Sequence, residues 1–505
     1  MPYDVLAAPV FGVDDLTTVL LIGAAVLIAS IVAVRLSVHS GLPSLLYYLA
    51  IGLLIGEAGF GIRFDSANLT RVLGYAALIL ILAEGGLTTR WSSVRQSVAP
   101  AAVLSTVGVA VSVSVVAVAA HVVLHVSWTV ALLIGAIVSS TDAAAVFSVL
   151  RNVPLPRRIT GLLEAESGIN DAPVVILVVT LAAQAMPGAE PEPWYLLVVL
   201  AALELVGGAL VGLAVGHLGA RLMKRFAART SGLFSIGIVA LTVLAYAVAA
   251  SAHTSGFLAT YVSGVVLGNM RLPHRVAVHG FATALGWLAQ IGLFVLLGLL
   301  ASPARMPGQI VPALVIGLVL LLVARPLSVL VSVTPFRVPW RDQVFLSWAG
   351  LRGAVPVVLA TVPLTMGTPD TGWLFDLVFV LVIVFTVVQA PTLPWVARRL
   401  GVIEADAATD VELESTLLDE LGAEVVQVSI GLASRLNGVG VVELRLPTGA
   451  QVALVARAGT TFVPDRMAQF RHGDRLLIVT TAAARSAVEA RVRAVSRDGR
   501  LAGWV

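Results

Sequence analysis

The chain has 505 residues, 58% of them hydrophobic and only 12% charged, with a mean hydropathy of +0.97. Soluble domains average about 25% charged residues, so this composition excludes a soluble globular class and points to the lipid bilayer. The net charge of +3 is no nucleic-acid signal, and the lack of cysteine excludes disulfides and thiolate metal sites.

A helix crossing the hydrocarbon core takes about 17–25 mostly apolar residues. Such windows fall near 16–35, 42–58, 71–89, 98–124, 129–150, 159–184, 194–219, 233–251, 255–270, 277–301, 309–333, 342–364 and 372–396, or about thirteen spans. The first run, Thr17 to Val34, follows Asp4, Asp14 and Asp15 and no Lys or Arg. A secretory signal has a basic leading region, so this run reads as a retained first span with residues 1–15 outside the cell. Alternate loops collect Arg90 and Arg95, Arg157 and Arg158, Arg221, Lys224 and Arg225, and Arg398 and Arg399. The opposite loops hold only Arg63, Arg71 and Arg305. The positive-inside rule places the richer set in the cytoplasm. A plasma-membrane protein of thirteen spans over residues 16–400 then ends with a cytoplasmic C-terminus.

Beyond Leu400 the pattern changes. Residues 401–421 are acidic and polar and read as a linker or short helix. Residues 422–496 alternate apolar and polar residues in short runs: Glu424–Val428, Val441–Leu446, Gln451–Ala456 and Arg475–Val479. Period-two runs broken by Gly, Pro and Asn predict strands, with a closing helix over about 482–495. This predicts a small cytoplasmic α+β domain, followed by a tail over 497–505.

Two spans carry polar breaks: Ser139-Ser140-Thr141-Asp142 in the fifth, and Gly350-Leu351-Arg352-Gly353 before Pro356 in the twelfth. Breaks seven spans apart occupy equivalent places in two inverted six-span repeats, spans 1–6 and 8–13, with span 7 connecting them. Paired interrupted helices in two halves point to a transporter site. Between them in sequence lies Glu164-Ala165-Glu166-Ser167-Gly168-Ile169-Asn170-Asp171, at the head of the apolar part of span six. Each ionisable group in a bilayer costs at least about 2.5–3.5 kcal/mol, so a cluster of them argues for use. Ser167 and Asp171 are four residues apart and share a helical face; Glu166 and Asn170 share the adjacent one. Asp171, Asp142, Ser167 and Thr141 offer oxygen ligands suited to an alkali cation. Burial favours the protonated form of a carboxyl, as a proton carrier needs. A dry Glu166 needs a cation, and Arg352 is the natural structural partner. Glu84, Glu164 and Glu204, each alone, read equally as helix-end residues facing headgroups. Arg325-Pro326 reads as a supporting charge or a kink, and His121 and His125 as interfacial residues.

Through Glu166–Ala172, Ser140–Ala143 and Gly350–Pro356 the chain resembles the monovalent cation/proton antiporters of the sodium/hydrogen exchanger type, over about residues 15–400. The resemblance implies that Asp171 is the shared proton and cation carrier. It implies that Asn170 belongs to the ion site and marks the electroneutral branch, and that Glu166 pairs with Arg352. Ala143 departs from the proline common after the Thr-Asp pair. Around Ser434–Gly438 and Phe470–Leu477 the tail is similar to the C-terminal module of potassium-conductance regulators. That likeness implies a homodimer and a small regulatory ligand, a nucleotide or cyclic dinucleotide. Exchanger and module together imply a potassium/proton antiporter, with sodium/proton exchange as the alternative. They imply no catalytic residues and no cofactor beyond the transported cation. A cation channel gated by the tail, or a membrane sensor, are the rival classes; no carbonyl filter run of the TVGYG type supports the channel.

Overall fold

The computed structural model describes residues 13–57, 59–61, 64, 66–150, 153–188, 193–225, 230–270, 272–403, 413–418, 423–431, 434–457, 459–481, 483–499 and 502. Most of the expected outer segment 1–15 lies outside them. Among the described residues, nine helices are long and apolar enough to cross a membrane. They are α1 (Val13–Ser40), α3 (Ala67–Thr88), α4 (Val98–Leu124), α6 (Arg157–Gln184), α7 (Trp194–Arg225), α8 (Ser231–Ser251), α10 (Arg275–Leu300), α11 (Met306–Phe336) and α13 (Leu374–Leu400). The predicted second and ninth windows hold shorter helices, α2 (Ser44–Ile55) and α9 (Gly256–Asn269). The fifth is broken, with α5a (Trp128–Ser139) bent by 43° from α5b (Ala143–Val149). The twelfth is broken too, into α12a (Trp340–Trp348) and α12b (Ala354–Met366). Every predicted window is therefore occupied, and the chain is a multi-pass helical membrane protein.

A second pair of irregularities carries the same seven-span spacing. α4 contains a π-helical turn at Leu104–Gly108, and α11 contains one at Leu320–Ala324. Single π turns inside α-helices gather at functional sites. Here both lie beside α6: the Ser105 hydroxyl donates to the Glu166 carbonyl at 3.3 Å, and Arg325 follows the second turn directly.

The core runs through α5, α6, α12 and α13, where long stretches are fully buried. By contrast, α1 and α7 present Leu, Ile and Val to the outside along most of their length, as lipid-facing or partner-facing helices do.

The tail forms a five-stranded antiparallel sheet of order β1-β2-β5-β3-β4, from β1 (Leu413–Leu418), β2 (Ala423–Ser429), β3 (Ala450–Arg457), β4 (Thr460–Phe462) and β5 (Arg475–Thr481). Helix α14 (Arg485–Asp498) packs Val488, Val492 and Val495 onto Val426, Val428, Leu476 and Ile478. Two expectations change here. The region read as linker contains β1, an edge strand in register with β2 from Leu413↔Val428 to Leu418↔Ala423. Its acidic residues hid the strand signal, because an edge tolerates charge. Val441–Leu446 is not a strand. The Leu444 amide donates to the Gly440 carbonyl at 3.0 Å, a helical turn, and Arg445 sits at φ +49°. The turn leaves Leu444 buried and Val442 exposed. Within this domain Asp474 is fully buried and accepts from Arg457 at 2.8 and 2.7 Å and from the Arg471 amide at 2.7 Å.

Candidate functional site: a broken-helix crossing with a buried carboxylate

Small and polar residues end α5a at Ser139, and three extended residues follow before α5b. Asp142 caps α5b: its Oδ1 accepts from the amides of Ala144 and Ala145 at 2.9 and 3.2 Å. The Asp142 amide in turn donates to the Leu351 carbonyl at 2.8 Å, so the two breaks cross and are tied by backbone. This crossing requires glycine at 353, where a Cβ would lie 1.9 Å from Asp142 Oδ2. Four helix ends thus converge, two of them N-terminal and two C-terminal, with opposite partial charges.

Arg352 serves the C-terminal ends. Its Nε donates to the Val138 carbonyl at 3.2 Å and its Nη1 donates to the Gly350 carbonyl. The expected Glu166–Arg352 pair is therefore replaced: Glu166 is bound by Arg325, at 2.5 and 2.8 Å through two parallel bonds. Both partners are nearly inaccessible, at 4% and 3% side-chain exposure. The physical reason is local. Arg352 lies among unsatisfied carbonyls of its own break, whereas the π turn in α11 aims Arg325 at α6. The Thr141 hydroxyl donates to Glu166 Oε1 at 3.2 Å and receives the Asn170 amide at 2.7 Å. Asn170 is fully buried in this network. Within the expected ion site, Asn170 contacts Thr141, one of the predicted oxygen ligands.

Asp171 lies on the next face of α6, two residues before the in-helix Pro173. It is 7% exposed and accepts one side-chain bond, from the Ser140 hydroxyl at 2.7 Å. No basic residue pairs with it among the described residues. It opens on a cavity of about 280 Å³. Asp142, Thr141 and Ser167 line the same cavity, as do Glu84 and Glu164. Four of the predicted ligands, Asp171, Asp142, Thr141 and Ser167, are thus brought together. The Ser167 hydroxyl also accepts the Ala143 amide at 3.2 Å, which fixes α5b to α6.

Glu84 and Glu164 belong to the cavity rather than to headgroups, and Glu164 accepts from the Thr89 hydroxyl at 2.8 Å. Tyr261 of α9 closes one wall and needs glycine at 168, where a Cβ would stand 2.3 Å from its ring. Ser140, Tyr261 and Gln290 were not among the residues singled out from sequence. Ser140 belongs to the polar break Ser139–Asp142; nothing in the sequence marks the other two. Glu204 stays apart. It lines a different cavity of about 290 Å³ with His253, Tyr246 and Phe257. That cavity meets α3 at Tyr75, whereas the Asp171 cavity runs along α3 toward Thr88 and Thr89. The ring of Phe257 packs against Tyr75 and Tyr246, with centroids 5.5 and 5.2 Å apart.

Residues 23–399 match the model of the transmembrane sodium/hydrogen exchanger family. The chain is 38% identical over 468 residues to the K(+)/H(+) antiporter NhaP of Alkalimonas amylolytica, covering 92% of this chain and 81% of that protein. It is 36% identical over 471 residues to the K(+)/H(+) antiporter NhaP2 of Shewanella oneidensis, covering 92% and 82%. Among solved structures it is similar to the sodium proton antiporter MjNhaP1 of Methanocaldococcus jannaschii, with a TM-score of 0.67 at 22% identity, covering 76% of this chain and 99% of that one. That likeness is one of fold.

Proposed function

The chain belongs to the sodium/hydrogen exchanger family, and from that premise we propose an electroneutral antiporter that exchanges one potassium ion for one proton, not an enzyme. The observation that carries this reading is Asp171, buried, bound by one hydroxyl and facing a cavity that Asp142, Thr141 and Ser167 also line. A bare buried carboxylate without a partner costs several kcal/mol. Movement of the loaded helices therefore requires Asp171 to hold either a proton or a cation, and this requirement couples the two fluxes. The site has the same net charge in both loaded forms, because one monovalent cation replaces one proton on Asp171. Asp142 stays engaged as the cap of α5b and offers its second carboxyl oxygen to the same cavity. Ser167, Thr141 and Ser140 add neutral oxygens.

Potassium follows from the relatives' described substrate; sodium is the alternative, since both are held by oxygen ligands. The arginine-rich loops support a cytoplasmic C-terminus in the plasma membrane. On that orientation the Asp171 cavity opens inward, and the Phe257 cluster lies toward the outer side. The broken spans would move against a scaffold that includes α1 and α7, whose exposed apolar faces suit a homodimer contact. The tail domain is the regulatory part.

The test is proton flux in proteoliposomes against K⁺, Na⁺ and Li⁺ gradients, with the full chain and with residues 401–505 removed. Saturable counterflow insensitive to membrane potential is expected, fastest with K⁺ and altered by tail removal. Unsaturable flux that carries current would replace this reading with a channel. No flux with any alkali cation would leave a sensor.

A further inference from the structure

A second cavity, of about 1050 Å³, lies where α14 of the tail domain meets the helix ends of the membrane domain. Its walls bring together Arg90 after α3, Arg275 and His279 at the start of α10, and Arg485 at the start of α14, against one lining carboxylate, Glu489. Arg275 lies within electrostatic reach of both Arg90 and Arg485, and His279 within reach of Arg275 and Arg90. Arg485 is committed: it donates to Glu489 at 2.9 Å and to Glu424 at 3.0 Å. Arg90 and Arg275 have no salt bridge among the described residues. Their opposite charges are more distant, Glu164 for Arg90 and Glu424 for Arg275. Like charges gathered on one wall repel, and the arrangement is favourable only when an anion offsets them.

Two further observations favour an anion. Neither α10 nor α14 has a side-chain cap at its N-terminus, and both helices begin on this cavity with their positive dipole ends. The Arg90 segment is also held in place. Asn269 accepts from the Trp91 amide at 2.8 Å and donates to the Thr89 carbonyl at 2.8 Å. Thr88 lines this cavity and the Asp171 cavity alike.

We propose that this cavity binds a phosphate-bearing anion between Arg90, Arg275, His279 and Arg485, at the mouth of the ion cavity, and that the anion bridges the tail to the exchanger. Guanidinium forks bind phosphate through paired bonds. An anion shared by Arg485 and Arg275 holds α14 across the mouth; without it, only the more distant Glu424 draws Arg275 toward the tail. The same phosphate chemistry is offered by a soluble nucleotide and by an anionic lipid headgroup.

The experiment uses the full chain, purified in phosphate-free detergent buffer and titrated calorimetrically with ATP, AMP and pyrophosphate. In parallel, thermal stability is measured in vesicles of phosphatidylcholine alone and of phosphatidylcholine with phosphatidylglycerol. Saturable binding that weakens with added salt is expected. It should be about tenfold weaker in Arg275→Gln and weaker again with Arg90→Gln added, while Arg275→Lys keeps part of it. Because binding is read directly, the result stands apart from whether the protein exchanges ions. Binding of the soluble anions assigns the site to them. Stabilisation by phosphatidylglycerol alone, lost in the double variant, assigns it to the headgroup. Absence of both in the wild-type chain, or affinities equal in wild type and the double variant, overturns the proposal. A double variant that does not elute as a single species is replaced by Arg275→Lys and Arg275→Gln compared singly.

Discussion

Glu166 is 2% exposed and Asp171 7%, on adjacent faces of the same helix. The first receives two guanidinium bonds from Arg325 and a hydroxyl bond from Thr141; the second receives one hydroxyl bond, from Ser140. Burial is therefore common to both, and partnership separates them. A buried acid matched by a cation is a fixed charge that holds helices together. A buried acid left without one must acquire a proton or a cation from the cavity it faces. Depth therefore does not distinguish the two acids of this helix; the guanidinium on Glu166 and its absence from Asp171 do.

Changes at the two acids should part in kind as well as size. Asp171→Asn is expected to reduce cation-driven proton flux to background while the protein keeps its melting temperature, since a neutral amide relieves a burial cost. Flux comparable to wild type in proteoliposomes would break the contrast. Glu166→Gln is expected to cost about 3–5 kcal/mol by stranding Arg325, read as a lowered melting temperature and poor recovery from the membrane. Arg352→Ala should cost less, about 1.5–3 kcal/mol for the carbonyl bonds it loses. A double-mutant cycle sharpens the assignment. Glu166 should couple to Arg325 by an energy toward the upper part of about 0.5–3 kcal/mol, and to Arg352 by far less. Equal couplings would restore the pairing expected from sequence.

The smallest effect lies outside the membrane. Burial pushes the Asp474 carboxyl up, but the Arg457 hydrogen bonds, the Arg471 amide and the two arginine charges outweigh it and hold the group below its ordinary 3.8. A depressed carboxyl stabilises the fold fully above the ordinary value and loses that contribution as pH falls through the depressed one. Tail-domain stability should then be flat near neutrality and drop only on acidification below about 3.8. Asp474→Asn should remove that acid-dependent drop, as followed by tail-specific hydrogen exchange in the full chain.

Much of this fold was legible. Lipid requires long apolar helices, so each span left a window in the sequence, and the breaks at Ser139–Asp142 and Gly350–Gly353 announced themselves as polar residues in apolar surroundings. Helical spacing also separated Asp171 from Glu166. The partner of Glu166 was not legible. Arg325 and Arg352 both lie in late spans, and the choice between them rests on a π turn at Leu320–Ala324, in a run of Leu, Val and Ala that looks like any other helix. The contact of Asn170 was hidden for a related reason: its face is set by α6, but its partner is set by where the α5 break puts Thr141. Strand β1 was hidden because edge position, not composition, permits its glutamate, Glu414.

The central claim is that one carboxylate alternately holds a proton and a cation. It is tested most directly by adding K⁺ to the detergent-purified, weakly buffered protein and measuring protons released with a pH indicator alongside ⁴²K⁺ bound. The account predicts that, at a pH where Asp171 begins protonated, close to one proton leaves per ion bound. It also predicts that Asp171→Asn neither binds the ion nor releases a proton. Cation binding without proton release, or release that persists in Asp171→Asn, would contradict it.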